Sequence, residues 1–374
     1  MAGSGRPPFR ADHVGSLLRP KEVAEARARK DKGEIGAAEL RAVEDRAIKD
    51  AVALQESAGL SAITDGEFRR AFWHVDFLVG FDGIKATQSN YAVNFKGDDG
   101  ATAETRSMMI VDGKIRRSHP VMVDDFKYLK SVTGRTAKAC IPSPTYLHFR
   151  GGRKIVDKKA YPDMEGFWAD LIAAYRAEID ALAAAGCTYL QLDDVSVSYL
   201  CDQSIRAHLK EDGLDPDKLP SEYARVNSAL IANRPKSMAV TMHTCRGNFQ
   251  SMWMAEGGYD AVAEAVFNET DVDGFFLEYD TERAGGFEPL RFVPKSKKIV
   301  LGLVSSKKPE LESKDMLKRR IDAAAKYVPL ENLCLSPQCG FASTHHGNRI
   351  GEDIEKRKLA LVVETATEVW GSAA

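Results

Sequence analysis

The sequence predicts an α/β chain closed into a (β/α)8 TIM barrel, with a hairpin inserted after the second strand. Three observations predict it. Eight short apolar runs rich in β-prone residues recur along the 374 residues. Most gaps between them carry a helical pattern, and polar residues gather at the C-terminal ends of successive runs. Strands alternating with long helices imply a parallel sheet with crossover helices. Eight such units point to closure rather than an open sheet.

In order, the runs are "HVGSLL" at 13–18, "SAITDGE" at 61–67, "AKACIPSP" at 137–144 and "TYLQLDD" at 188–194. They continue with "SMAVTMHTC" at 237–245, "GFFLEYD" at 274–280, "KKIVLGLVS" at 297–305 and "LCLSPQCG" at 333–340. Two helices are plainest. The stretch from about Ala37 to Ser57 is dense in Ala, Glu, Arg and Leu and ends before Gly59. The stretch from Met164 to Ala185 repeats apolar residues at helical spacing and stops at Gly186, a suitable left-handed cap. Residues 68–136 break the alternation. "FKGDDGA" and "MMIVDGKIRR" carry turn chemistry, and Asp112-Gly113 between β-prone flanks reads as a hairpin turn. We read 68–136 as a flap over the barrel mouth, within one catalytic unit spanning 1–374; a separate small domain is the alternative.

Composition excludes several classes of function. Lys+Arg and Asp+Glu number 52 and 54, so no basic excess exists to neutralise nucleic-acid phosphates. No apolar run approaches the roughly 20 residues that cross a bilayer. The opening "MAGSGRPPFRADH" has no apolar signal core, so a cytoplasmic location is expected. Six cysteines are too sparse for a disulfide scaffold in a chain of this length. Thiols that bind metal in a reducing compartment are the simpler reading.

The strand ends carry the chemistry. Run two ends in Asp65-Gly66-Glu67, run four in Asp193-Asp194, run five in His243 and Cys245, run six in Glu278 and run eight in Cys339. Side chains alternate along a strand, so His243 and Cys245 share a face. Imidazole, thiolate and carboxylate are donor types that Zn²⁺ accepts. A lone acid at a strand end is more often a cap, and a lone buried Cys a small core residue. Their convergence at one end of a barrel, where such folds place active sites, is what points to a metal centre.

These residues, in these contexts, resemble the cobalamin-independent methionine synthase family, specifically its catalytic C-terminal barrel. The resemblance runs from "HVGSLLRP" to the C-terminal helix, and the length resembles that of short, single-barrel members. It implies a Zn²⁺ bound by His243, Cys245, Glu278 and by Cys339 within "SPQCG". It also implies that the Val14-Gly15-Ser16 turn holds a substrate carboxylate. Glu67 and Asp193 would then pair with the α-ammonium of homocysteine, whose thiol becomes methionine on methyl transfer. The implied donor is a methylated folate or a methylated corrinoid. Nucleic acid and membrane are not expected partners, and self-assembly into a homo-oligomer is left open.

Two departures from the family stand out. Asp194 replaces the usual Glu that precedes a Pro. After run seven, "LGLVSSKKPE" places Ser305 and Lys307 where the family has an Asp-x-His step that moves a proton to folate. Lys307 is the candidate replacement as proton donor or as a contact to an anionic donor; His345 and His346 are alternatives, although neighbouring loop histidines more often face solvent. Two other functions compete. A transferase of coenzyme M type would alkylate a sulfonate-bearing thiol and would want Arg where this chain keeps Glu67 and Asp193. A non-catalytic zinc-binding protein would have no use for those acids.

Overall fold

The computed structural model describes residues 5–374 apart from the side chains of 89–92; residues 1–4 of the opening segment read above lie outside it. The strands are β1 (Ala62–Ile63), β2 (Asp82–Lys96), β3 (Thr102–Arg116), β4 (Thr136–Pro142), β5 (Tyr189–Asp194), β6 (Ala239–Thr244), β7 (Gly274–Glu278), β8 (Lys298–Val304) and β9 (Leu333–Pro337). Seven form one sheet in the order β1-β4-β5-β6-β7-β8-β9, with every neighbouring pair parallel. The expected barrel is present, with one correction. The run at 13–18 forms no strand, because Gly15 turns the chain at φ +137°. The eighth stave is instead a short bridge just upstream, where Ala11 meets Leu335 in parallel. On its other side, Leu17 N–H donates to Gly66 O (3.1 Å) and Thr64 Oγ1 to Gly15 O (2.6 Å), so this segment spans the gap between β9 and β1.

Strand β1 is short for a local reason. Gln55, buried in the helix Ala37–Ala58, donates to Thr64 O (2.9 Å) and accepts from Thr64 N–H (2.8 Å), taking both backbone groups that a longer strand would give its neighbours. The helix turns Leu40, Ala47, Ile48, Ala51 and Val52 inward at i, i+3 and i+4 spacing and ends on left-handed Gly59 (φ +93°). Burying side chains such as Ile48 and Val52 contributes ~1.5–3 kcal/mol each, and truncating Ile48 to Ala would cost about 2–5 kcal/mol. The helix Met164–Ala184 starts where Asp163 accepts from Gly166 N–H (2.8 Å), and it likewise buries one face through Phe167, Leu171, Tyr175, Ile179 and Leu182. Among the described residues, no helix is long and apolar enough to cross a membrane.

Side chains fill the barrel interior. Val14, Phe276, Val300 and Cys334 make one buried layer. Lys138 lies among them, fully buried, donating to Asp12 Oδ1 (3.2 Å) and His13 O (2.6 Å) while Tyr189 Oη donates to Asp12 Oδ2 (2.8 Å). A buried charge pair with its remaining valences satisfied is tolerated, whereas one stripped of a partner is strongly destabilising.

Strands β2 and β3 form the hairpin inserted after β1, and its turn corrects a second expectation. The chain reverses at 97–101, where Gly97 N–H donates to Ala101 O (2.7 Å). Asp112-Gly113 lies within β3, beside the register shift at Gly83. A glycine can serve a bulge as well as a turn, since both need backbone freedom. The hairpin tip is tied down: Lys96 and Trp253 exchange backbone hydrogen bonds, Asp98 pairs with Lys308 (2.7 Å) and Arg283 (3.5 Å), and Asp99 pairs with Arg349 (2.9 Å). These contacts carry it across the C-terminal ends of the barrel strands.

Candidate active site

A cavity opens at that end, walled by barrel loops and by Phe95, Thr105 and Ser107 of the hairpin. Strand β6 and the residue after it place His243 and Cys245 on the inner face, as alternation requires, and the loop after β9 brings Cys339 to meet them. The ligating atoms of these three residues all lie within 4.8 Å of one another, and all three are buried. The Cys245 and Cys339 sulfurs are 3.2 Å apart with both thiols free. Neither nitrogen of the buried His243 ring has a hydrogen-bond partner of good geometry, although the Cys339 sulfur lies close enough to interact with it. The Cys245 thiol holds Cys339 well below the ordinary thiol range, aided by His243 and Lys307, while the same contact and burial push Cys245 up. Unsatisfied donor atoms cost free energy in a dry site. An orphaned imidazole facing two thiols is a donor set that fits Zn²⁺.

Glu278 ends β7 at the same mouth and is fully buried. Its Oε2 accepts from Arg246 N–H (3.0 Å), and its Oε1 faces Arg283 Nη2 (3.4 Å) and Lys307 Nζ (3.5 Å). Burial would raise its pKa, but Lys307 and Arg283 more than offset that and lower it. The three donors that converge are thus His243, Cys245 and Cys339, with Glu278 held beside them by cations. Lys307 is buried against Glu278 and does not line the cavity. Ser305 is also outside the wall; its N–H donates to Glu312 Oε1 (2.8 Å).

The acids read from the sequence share the cavity wall. Glu67 takes a left-handed backbone (φ +62°) and pairs through Oε1 with Arg70 Nη2 (3.3 Å), leaving Oε2 unpartnered. Burial, with the nearby Asp193 charge, lifts its pKa to about 7. Asp193 accepts from Gln191 Nε2 (2.7 Å), and burial lifts it to about 6. Ser16 lines the wall opposite Gly340, where any Cβ would overlap the Ser16 hydroxyl. Gly15 stands behind Ser16 and lacks room for a side chain, since a Cβ would lie 2.7 Å from Cys140 Sγ. Asp194, the residue departing from the family pattern, caps the following turn by accepting from Thr145 Oγ1 (2.6 Å) and Val197 N–H (3.0 Å).

Sequence reasoning missed the aromatic half of the cavity, formed by Phe72, Trp73, His74, Tyr146, Phe95 and Phe249. The run "AFWHVDF" directly after the Glu67 loop was the available signal. Trp73 and Tyr146 sit 5.5 Å apart between ring centroids, and Phe95 and Phe249 sit 5.2 Å apart. Buried His74 is pushed down to about 3 by loss of solvent and by Arg150, so it is neutral. His345 and His346 are exposed and stacked at 3.9 Å, with Phe72 against His345 and Phe249 against His346. Among the described residues, no Lys or Arg side chain lines the cavity.

A barrel whose mouth joins two thiols and an imidazole to a pair of carboxylates under a hairpin belongs to the class of (β/α)8 enzymes that build chemistry from strand-end loops. The chain belongs to the cobalamin-independent synthase family, whose catalytic-domain model matches residues 9–367, and this places it among the methyltransferases. It is 46% identical over 365 residues to the uncharacterized protein YxjH of Bacillus subtilis, covering 97% of this chain and 95% of that one. The crystal structure of the putative vitamin-B12-independent methionine synthase from Listeria monocytogenes is similar over 99% of this chain and 100% of its own, with 40% identity and a TM-score of 0.79. The 5-methyltetrahydropteroyltriglutamate–homocysteine methyltransferase of Thermotoga maritima is 22% identical over 338 residues; the match covers 90% of this chain but 42% of that longer protein.

Proposed function

We propose that this chain transfers a methyl group to the thiol of homocysteine, forming methionine, at a Zn²⁺ held by His243, Cys245 and Cys339 with Glu278 as the weaker, displaceable fourth ligand. One observation carries the reading: the three soft-metal donors converge in the same cavity wall as Glu67 and Asp193. A free alkyl thiol has a pKa of about 8.5 and is only a few per cent thiolate near neutral pH. Bound Zn²⁺ would supply the Lewis acidity that keeps such a sulfur deprotonated.

The remaining work falls to the chain's own residues. Glu67 and Asp193 are buried carboxylates with spare acceptor capacity, suited to an α-ammonium. Ser16, held opposite Gly340, offers a hydroxyl to the α-carboxylate. Arg283 and Lys307 hold Glu278 as a carboxylate, and would keep it paired whether or not it served as a metal ligand. The aromatic half of the cavity takes the methyl donor, a methylated folate or corrinoid with an extended ring system, on Trp73, Tyr146, Phe95 and Phe249. The absence of Lys and Arg from the described wall disfavours a sulfonate-bearing thiol as acceptor.

The test is a methyl-transfer assay with homocysteine, alongside metal analysis. We expect about one Zn²⁺ per chain, most of it lost in Cys245→Ser and in Cys339→Ser while circular dichroism stays unchanged. Wild-type zinc and wild-type turnover in both variants would overturn the assignment.

A further inference from the structure

Arg19 closes the "HVGSLLRP" run, three residues beyond Ser16, and none of the roles above uses it. Its guanidinium lies between the loop that follows β1 and the loop that follows β9. Nη1 donates to Ala342 O (2.7 Å) and Thr344 O (3.0 Å); Nη2 donates to Glu67 O (3.0 Å) and Arg70 O (2.9 Å); Nε donates to Arg70 O (3.1 Å). Those five contacts draw on all three guanidinium nitrogens and reach four backbone carbonyls. The two loops also touch directly, through the Phe72–Thr344 bridge and a Trp73 N–H to Ser343 O bond (3.0 Å).

What the clamp holds is unusual. Glu67 is one of three non-glycine residues with positive φ among those described, and its carbonyl is among the four that Arg19 binds. A glutamate persists in that region only where its surroundings over-determine it. The Glu67 side chain has one oxygen on Arg70 and the other unpartnered in the cavity. A planar, forked cation spans both loops at once, which a single ammonium on a flexible stem cannot match.

We propose that Arg19 is a positioning residue for homocysteine: by fastening the Glu67 backbone to the loop after Cys339, it holds the Glu67 carboxylate where the substrate ammonium binds. This rests on the assignment of Glu67 made above. The test is a double-mutant cycle of Arg19→Met and Glu67→Gln, with Arg19→Lys as the conservative variant. Homocysteine KM, donor KM, kcat and zinc content are measured for each.

We expect Arg19→Met to raise homocysteine KM roughly ten- to hundredfold, the scale of a lost charge-assisted contact. Its kcat and donor KM should change by less than about threefold, with zinc retained and Arg19→Lys intermediate. The double variant should be no worse than the more severe single one, because Arg19 acts through Glu67. Additive losses in the cycle, or equal losses in kcat and both KM values, would show a general loop brace and overturn the proposal. So would an unchanged homocysteine KM in Arg19→Met while Glu67→Gln raises it. An unchanged KM in Glu67→Gln itself would instead remove the underlying reading, and this proposal with it. Should Arg19→Met fail to fold, Arg19→Lys and its double variant with Glu67→Gln carry the same cycle.

Discussion

Replacing Glu67 by Gln should make the empty protein more stable and the enzyme worse. The carboxyl is buried, and its pKa rises from 4.5 to about 7. At ~1.4 kcal/mol per pH unit, that corresponds to an upper bound between about 3 and 4 kcal/mol. The sign follows from where the proton sits. Below pH 4.5 the group is protonated in folded and unfolded chains alike, and its native contribution is complete. Between 4.5 and 7 the folded chain keeps a proton that the unfolded chain has shed, so stability falls as pH rises. Above 7 the full deficit remains. Gln keeps the shape, and its carbonyl can still accept from Arg70, but it carries no charge to desolvate. Chemical denaturation at pH 5, 6.5 and 8 should therefore show the variant ahead at pH 8, with the gap closing toward pH 5. The same substitution removes a charge-assisted contact to the substrate, worth about 1.5–3 kcal/mol, so homocysteine KM should rise roughly ten- to hundredfold. Superimposable denaturation curves at all three pH values would refute the electrostatic argument, and an unchanged KM would refute the substrate role.

Two further outcomes follow from the cavity wall. Gly340→Ala puts a Cβ into the Ser16 hydroxyl; overpacking of this kind costs about 1–3 kcal/mol, so melting temperature should fall and homocysteine KM should rise. Adding Ser16→Gly should restore the melting temperature but not the KM, and restoration of both would mean that Ser16 contributes no contact. For the donor, methyl transfer from folate must protonate the departing nitrogen, yet Lys307 is buried against Glu278 and His74 is neutral. Methyltetrahydrofolate should therefore turn over more slowly than methylcobalamin at matched homocysteine. Brisk folate turnover that survives His345→Ala, His346→Ala and Lys307→Ala would contradict this.

The barrel was legible because its signals are local. Alternation along "TMHTC" by itself sets His243 and Cys245 on one face, and seven of the eight apolar runs correspond to strands of the parallel sheet. The first run failed because a glycine between apolar neighbours reads as strand, whereas Gly15 actually turns the chain and Gln55, in the helix just before β1, takes the Thr64 backbone groups that would have paired with it. The hairpin was legible but not its turn, since Asp-Gly marks backbone freedom without saying whether a turn or a bulge uses it. The site shows the same division more sharply. Strand ends announce which residues reach the mouth: Glu67, Asp193, His243, Cys245 and Cys339 line the cavity, while Glu278 ends β7 without lining it. They do not announce which cations come to meet them. Glu278 accepts from Arg246, Arg283 and Lys307, which arrive from the loops after β6, β7 and β8. Parallel pairing of β6, β7 and β8 as sheet neighbours brings those loops together. That pairing turns Lys307 from an apparent stand-in for a missing proton donor into the partner of an acid. It also explains how a carboxylate survives ionised with no solvent around it: two cations and a backbone N–H replace the water that burial removed.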